Sequence, residues 1–121
     1  MVIYFENDYA APIILGDCKE SITAAKQIRK KTSLAVTVVS QKLSLINRIR
    51  FKHRRLTSDE ESIILLTLQD AVRDMREYST PLLICCEDHN SVFISKYRAE
   101  LEQLYVIIPA KQINSYFESN E

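Results

Sequence analysis

Two short, almost wholly apolar runs constrain the fold more than any other feature of this sequence. "LAVTVVS" (34–40) and "PLLICC" (81–86) each follow a longer segment in which apolar residues recur at helical spacing. Strands this apolar are typical of a parallel sheet that helices cover on both faces. Strands that alternate with helices therefore predict an α/β fold.

The remaining segments continue the alternation. We expect further strands at "PIILG" (12–16), near 49–55 and at "LYVII" (104–108). Helices are expected from Asp17 to about Lys31, from Asp59 to about Tyr78, from about Asn90 to Tyr97, and beginning within "KQINSYFESNE" (111–121). Right-handed crossovers restrict the topology. We predict a three-layer αβα domain whose mostly parallel sheet has about five strands in the order 3-2-1-4-5.

Two helix starts have a sequence signature. Asp17 with Glu20, and Ser58 with Glu61, have the spacing of capping boxes, in which side chains satisfy the first backbone N–H groups of a helix. We therefore expect the first helix to begin after Asp17 and the second to begin after Ser58.

Composition limits the classes of function. The 121 residues are 46% apolar, which suits a single domain with its own core, and the 16 basic side chains balance the 16 acidic ones. The sequence contains no run of about 20 apolar residues, which is the length that a membrane-spanning helix needs. The N-terminus lacks the basic start of a secretory signal. The cysteines, Cys18, Cys85 and Cys86, have no CxxC spacing. We expect reduced cysteines, no zinc site and a cytoplasmic protein.

Polar residues follow the first and fourth predicted strands, at the edge of the sheet where the strand order reverses. Ligands of open α/β sheets bind at such a position, beyond the carboxyl ends of the strands. Backbone N–H groups at the two helix starts would favour a carboxylate or phosphate. The candidate substrate-binding residues are Gly16, Asp17, Glu87, Asp88, His89 and Asn90. The alternative is that Asp17, Asp88 and Asn90 only cap helices.

Other chemistries have weaker support. Gly16 is the only glycine, so neither a dinucleotide fingerprint nor a phosphate-binding P-loop is present. His89 has two acidic neighbours, but metal sites usually need three or four assembled ligands. Cys86 could pair with His89 as a nucleophile, but it is better explained as a small apolar residue of a strand. We therefore expect no catalytic residue and no metal ligand in this chain.

A second candidate surface is the basic block at 42–55, which comprises Lys42, Arg48, Arg50, Lys52, Arg54 and Arg55. It could serve a stand-alone module that binds a small ligand, a nucleic acid or a protein. Phe51 is its only aromatic residue, so nucleic acid is not the expected partner. A solvated edge strand, whose cations discourage pairing with another strand, explains the block equally well.

The order of elements resembles the N-terminal domain of ATP-grasp carboxylate–amine ligases, especially the carbamoyl-phosphate-synthase-like and amino-acid-ligase-like members. The similarity extends over about residues 11–117, and one departure is Glu87, where the family commonly has glycine. The residues that fit the family pattern are Gly16, Asp17, Asp88, Ser95, Lys96, Leu101, Glu102, Tyr105 and Pro109.

The resemblance implies a Rossmann-like "pre-ATP-grasp" unit that forms one wall of a ligase and helps to hold a small carboxylate or amino-acid substrate. ATP, Mg²⁺ and the acyl-phosphate chemistry would belong to an ATP-grasp domain, supplied in cis or in trans. We therefore expect this chain to hold no cofactor and not to be an enzyme by itself. Related ligases often dimerise, so a homodimer is also expected. A receiver-like signalling domain fits less well, because the expected acidic residues after the first and third strands are missing.

Overall fold

A computed structural model of the protein describes residues 10–32, 34–75 and 78–113. Five strands and four α-helices alternate along these residues, followed by a 3₁₀ turn at Ala110–Gln112. The strands are β1 Ala10–Leu15, β2 Thr37–Ser40, β3 Lys52–Arg55, β4 Thr80–Cys85 and β5 Val106–Pro109. The helices are α1 Lys19–Lys31, α2 Leu45–Arg50, α3 Glu61–Arg73 and α4 Glu87–Glu102.

The strands form one sheet in the order β3-β2-β1-β4-β5, and all its neighbours are parallel, which confirms the predicted topology. β1 lies at the centre, where Ile14 aligns with Val38 of β2 and with Ile84 of β4. The chain moves outward from β1 to β2 and β3, then returns to the other side of β1 for β4 and β5. The strand order therefore reverses between β1 and β4.

Both faces of the sheet are buried, in keeping with the apolar strand sequences. One apolar cluster joins strand residues such as Ile14, Val38 and Ile84 to Ile28 of α1. The other joins alternate strand residues to α3 and α4; its members include Ile13, Leu15, Val39, Leu68, Leu83, Cys85, Phe93, Ile94 and Leu101. Because successive side chains of a strand point to opposite faces, one apolar run supplies both clusters.

Gly16 ends β1 in a conformation that suits glycine. Its φ angle is +95°, and its N–H donates to the carbonyl of Val39 at 2.8 Å. A residue with a Cβ atom is strained at such an angle, whereas glycine is not. The chain can therefore leave the central strand abruptly and begin α1 three residues later.

Both predicted capping boxes are wrong. The N-cap of α1 is Cys18, which makes no side-chain cap bond, and the Glu20 carboxylate instead accepts from the Cys86 thiol. Ser58 accepts from the N–H of Glu60 rather than of Glu61. The capping spacing fails because tertiary partners compete successfully for these carboxylates: Lys96 pairs with Glu61 at 2.8 Å.

Several element boundaries differ from those predicted, and the largest differences are at the edge strand and at α4. Residues 45–50 form the short helix α2, so the edge strand begins only at Lys52. α4 extends from Glu87 to Glu102, beyond both ends of the predicted helix, with non-helical backbone angles at Tyr97. The predicted C-terminal helix lies mainly within 114–121, outside the described residues. In the part of the chain that is described, no helix has both the length and the apolar character needed to cross a membrane.

A buried tyrosine links α3 to the segment before β5. The hydroxyl of Tyr105 donates to the backbone carbonyl of Leu68 at 2.6 Å. Burial raises the pKa of Tyr105 above its usual range, against a smaller lowering effect from Arg54. The neutral phenol is therefore the form that the folded state stabilises.

We expect Tyr105→Phe to lower the free energy of unfolding by about 1 kcal/mol near neutral pH, because it removes this hydrogen bond. A pKa raised on folding gives a contribution that is complete below the unfolded pKa of about 10 and is lost as the pH rises above it. The difference between wild type and variant should thus shrink in alkali. Urea unfolding at neutral and alkaline pH checks this, and a difference that stays constant with pH would contradict it.

Candidate functional site

The candidate site lies at the carboxyl edge of the sheet, between the ends of β1 and β4. All five strands are parallel, so their carboxyl ends share this edge, and Leu15 aligns with Cys85 at the last pair of the β1–β4 ladder. α1 begins at Lys19 and α4 begins at Glu87, each directly after one of these strands. The structure thus brings the turn after β1 beside the turn after β4, as the strand order predicted.

Adjacent cysteines at the end of β4 face opposite sides of the sheet. Cys85 is buried in the cluster beneath α3 and α4. Cys86, also buried, is turned the other way, and its thiol donates to the carboxylate of Glu20 on α1 at 3.1 Å. The reversal follows from the pleat of the strand. It leaves Cys85 in the core and brings Cys86 to the crevice.

Cys18 lies on the opposite wall of the crevice, at the start of α1. Its Sγ atom is 3.2 Å from the Oγ atom of Ser21, and that hydroxyl in turn donates to the carbonyl of Leu15 at 3.3 Å. Ser21 is buried, so its hydroxyl links the last residue of β1 to the first turn of α1. These contacts fix the position of the Cys18 sulfur.

The two crevice thiols differ in acidity. Partial burial acts to raise the pKa of Cys18, but hydrogen bonds with Ser21, and smaller ones with Cys86 and the backbone of Glu20, together outweigh it, and the pKa is lowered. Burial, and then the hydrogen bonds with Glu20 and Cys18, raise the pKa of Cys86 to about 12. Cys18 is therefore the thiol that gives up its proton more readily, and Cys86 stays protonated in this arrangement.

His89 completes a group of three potential metal ligands. One ligand atom from each of Cys18, Cys86 and His89 lies within 4.8 Å of the others. His89 is exposed, Cys18 is half-buried and Cys86 is buried, so the group connects the interior with solvent. The sequence did not predict this group of three residues, because Cys18 is far from the other two in the chain and their spacing matches no zinc motif.

The predicted substrate-binding residues take different positions around the crevice. Asp17 is exposed after Gly16, and Asp88 is exposed in the first turn of α4, with its carboxylate 3.5 Å from the Nζ atom of Lys111. The side chain of Asn90 accepts a hydrogen bond at 2.9 Å from the N–H of Cys86, the residue before α4. Asn90 therefore stabilises the start of α4, as the capping alternative predicted for it. Glu87 is the first residue of α4, and its side chain lies outside the described part of the structure.

A groove beside the crevice carries charges of both signs. It has a volume of about 410 Å³ and lies between α1 and the 3₁₀ turn after β5. Lys19, Glu20 and Gln27 line one wall, and Ala110 and Lys111 line the other. Glu20 therefore belongs both to this groove and to the thiol cluster.

Part of the basic block lines one groove, of about 870 Å³, to which Arg48, Arg50 and Lys52 contribute together with Arg29 of α1. Successive side chains from Lys52 to Arg55 point to alternate faces of β3. The guanidinium of Arg54 forms an ion pair at 2.6 Å with the carboxylate of Asp74, which follows α3. Phe51 is buried in the core and cannot stack on a base. Arg48 and Arg50 lie on α2, and a cationic groove of about 310 Å³ is lined by Arg50 together with residues of α1: Lys26, Arg29 and Lys30. The basic surface is thus built by two helices, which the sequence block did not indicate.

Comparisons with protein-family models, with curated proteins and with solved structures returned no match for this chain.

We expect Asn90→Ala to lower the free energy of unfolding by about 1–2 kcal/mol, because the N–H of Cys86 loses its acceptor at the edge of the core. Asn90→Asp keeps an acceptor oxygen and places a negative charge near the start of α4, so it should retain most of the stability. Urea unfolding of both variants separates the two cases. Equal losses in both would show that the side-chain acceptor does not hold this turn.

Proposed function

We propose that this chain is the N-terminal, substrate-side domain of an ATP-dependent carboxylate–amine ligase of the ATP-grasp type. Its role is to hold a small carboxylate or amino-acid substrate at the carboxyl-edge crevice. ATP, Mg²⁺ and the acyl-phosphate chemistry belong to an ATP-grasp domain that acts in cis or in trans. The sequence resemblance supports the proposed reaction class, and the geometry of the crevice supports the proposed place of binding.

The observation that supports the binding role is the meeting of two helix starts at the reversal of strand order. α1 follows β1 and α4 follows β4, and these strands are neighbours in the sheet. The first backbone N–H groups of each helix have no acceptor within the helix, and the helix dipole adds a partial positive charge. A carboxylate bound between them would be stabilised by both helices.

The side chains around the crevice suit a ligand with charges of both signs. Lys19 and Lys111 can contact a carboxylate, and Glu20 and Asp88 can contact an ammonium group. The adjoining groove, at about 410 Å³, is within the usual size range for small-ligand sites. These features favour an amino acid over a simple dicarboxylic acid.

The test is an NMR titration of the ¹⁵N-labelled chain with a panel of amino acids and dicarboxylic acids. We expect the amide shifts to concentrate at Gly16, Asp17 and Asp88 to Asn90. Asp88→Ala should weaken binding about 2- to 5-fold, as expected for one largely exposed charge. Asp74→Ala is a matched control, because its carboxylate is 62% exposed against 60% for Asp88 and lies far from the crevice.

ATP with Mg²⁺ serves as the comparison ligand in the same titration and should leave the spectrum unchanged. Binding of ATP by this chain, amino-acid shifts confined to the amino edge of the sheet, or equal effects of the two aspartate variants would each contradict the proposed role.

A second candidate function uses the basic surface formed by Lys26, Arg29, Lys30, Arg48 and Arg50. The specific observation in its favour is α2, whose Leu45, Ile46 and Ile49 are 68%, 63% and 79% exposed. Exposed aliphatic residues among cations are typical of a surface that binds another macromolecule. Because Phe51 is buried, an acidic protein surface fits better than a nucleic acid.

Heparin, used as a polyanionic probe, tests this second function by the salt concentration at which the chain elutes. The double variant Arg48→Gln, Arg50→Gln should elute earlier than wild type. The double variant Arg73→Gln, Arg98→Gln removes the same charge from α3 and α4 and should change elution less. The absence of retention at low salt, or equal shifts in the two variants, would remove this candidate.

A further inference from the structure

We propose that Cys18, Cys86 and His89 form a zinc-binding site at the carboxyl edge of the sheet, with a fourth coordination position beside Glu20. The inference concerns the thiol cluster alone and does not depend on the ligase assignment. It would stand if no amino acid bound to the crevice.

The geometry supports a site with three protein ligands. Cys18 precedes α1, Cys86 directly follows β4, and His89 lies in the first turn of α4, so the turns after β1 and after β4 both contribute. Their ligand atoms lie within 4.8 Å of one another. A tetrahedral zinc ion needs thiolate and imidazole donors about 3.6–3.8 Å apart. His89 is exposed, so rotation of its side chain can bring the imidazole to this distance from the two sulfur atoms.

Hydrogen bonds hold the backbone of both turns that carry the ligands, the turn after β1 and the turn after β4. The N–H of Gly16 donates to Val39 at 2.8 Å, and Asn90 accepts from the N–H of Cys86 at 2.9 Å. The turns that position Cys18 and Cys86 are therefore fixed by hydrogen bonds before any metal arrives. A metal would reorganise three side chains rather than the fold.

The donor set selects the metal. Two thiols and an imidazole suit zinc, whereas Mg²⁺ and Ca²⁺ prefer oxygen ligands. Three protein ligands with an open fourth position are typical of zinc sites that also accept water or a substrate atom. Structural zinc sites usually supply all four ligands. The crevice therefore resembles a site open to an exogenous ligand.

Binding of zinc would also change the contacts of Glu20. In the structure the Cys86 thiol donates to the Glu20 carboxylate at 3.1 Å. Coordination replaces the S–H bonds of Cys18 and Cys86 by zinc–thiolate bonds and releases both protons to solvent. Glu20 then loses its donor, and its carboxylate becomes available to the metal or to Lys19 and Lys111 in the adjoining groove.

The test uses Co²⁺ as a spectroscopic substitute for zinc, added to the whole chain under a reductant that keeps the thiols free. We expect a thiolate-to-cobalt charge-transfer band and tetrahedral d–d bands at one Co²⁺ per chain, both displaced by Zn²⁺ and not by Mg²⁺. Cys18→Ser and His89→Ala should each weaken Zn²⁺ binding by about 100-fold or more, since loss of even a supporting partner costs 10–100-fold.

The chain offers matched controls, because its remaining cysteine and histidine lie outside the cluster. Cys85 is buried on the other face of the sheet, and His53 of the edge strand β3 contacts Ser40 of β2. Cys85→Ala and His53→Ala should therefore leave Zn²⁺ affinity unchanged. Circular dichroism establishes that Cys18→Ser and His89→Ala, which change accessible residues, remain folded.

Three results would overturn the zinc site. The first is the absence of a charge-transfer band at millimolar Co²⁺. The second is an unchanged Zn²⁺ affinity in folded Cys18→Ser and His89→Ala. The third is an equal loss of affinity in the control variants, which would place the metal elsewhere.

Discussion

The pairing of β1 with β4 determines both the strand order of the sheet and the position of the crevice. The two strands align over their full length, from Ala10 opposite Thr80 to Leu15 opposite Cys85. This pairing places the second half of the chain on the free side of β1, opposite β2, and so reverses the strand order. The same pairing brings two chain turns and two helix starts together at one edge. Fold and candidate site therefore have a common origin.

Side chains at the end of β4 point alternately to the two faces of the sheet, which explains why polar residues follow this apolar strand directly. Cys85 completes the core beneath α3 and α4, and Cys86 turns to the other face, where it meets Glu20. Among the residues that follow, Asn90 stabilises the turn by accepting a hydrogen bond from the backbone of Cys86, whereas Asp88 and His89 are exposed at the surface. One short segment thus closes the core, fixes a helix start and presents polar groups to a crevice.

The sequence predicted the topology well, because apolar strands between amphipathic helices leave few arrangements that bury both sheet faces. It also predicted that the turn after β1 would lie beside the turn after β4. It did not predict the contact of Cys18 with Cys86 and His89, since that contact depends on which way each side chain points at the strand ends. The capping box of Asp17 with Glu20 failed for the same reason: a tertiary donor, the Cys86 thiol, engages the carboxylate. Short amphipathic segments such as α2 carry too little periodicity to separate helix from edge strand.

We propose that the carboxyl edge between β1 and β4 is where this molecule binds its ligands. A crystal structure of the reduced chain, grown with an amino acid and zinc and measured at the zinc absorption edge, tests this proposal. We expect an anomalous peak between Cys18, Cys86 and His89, and amino-acid density beside Glu20 and Asp88. Metal and ligand density found only at the amino edge of the sheet, near Lys52 and Asp74, would contradict it.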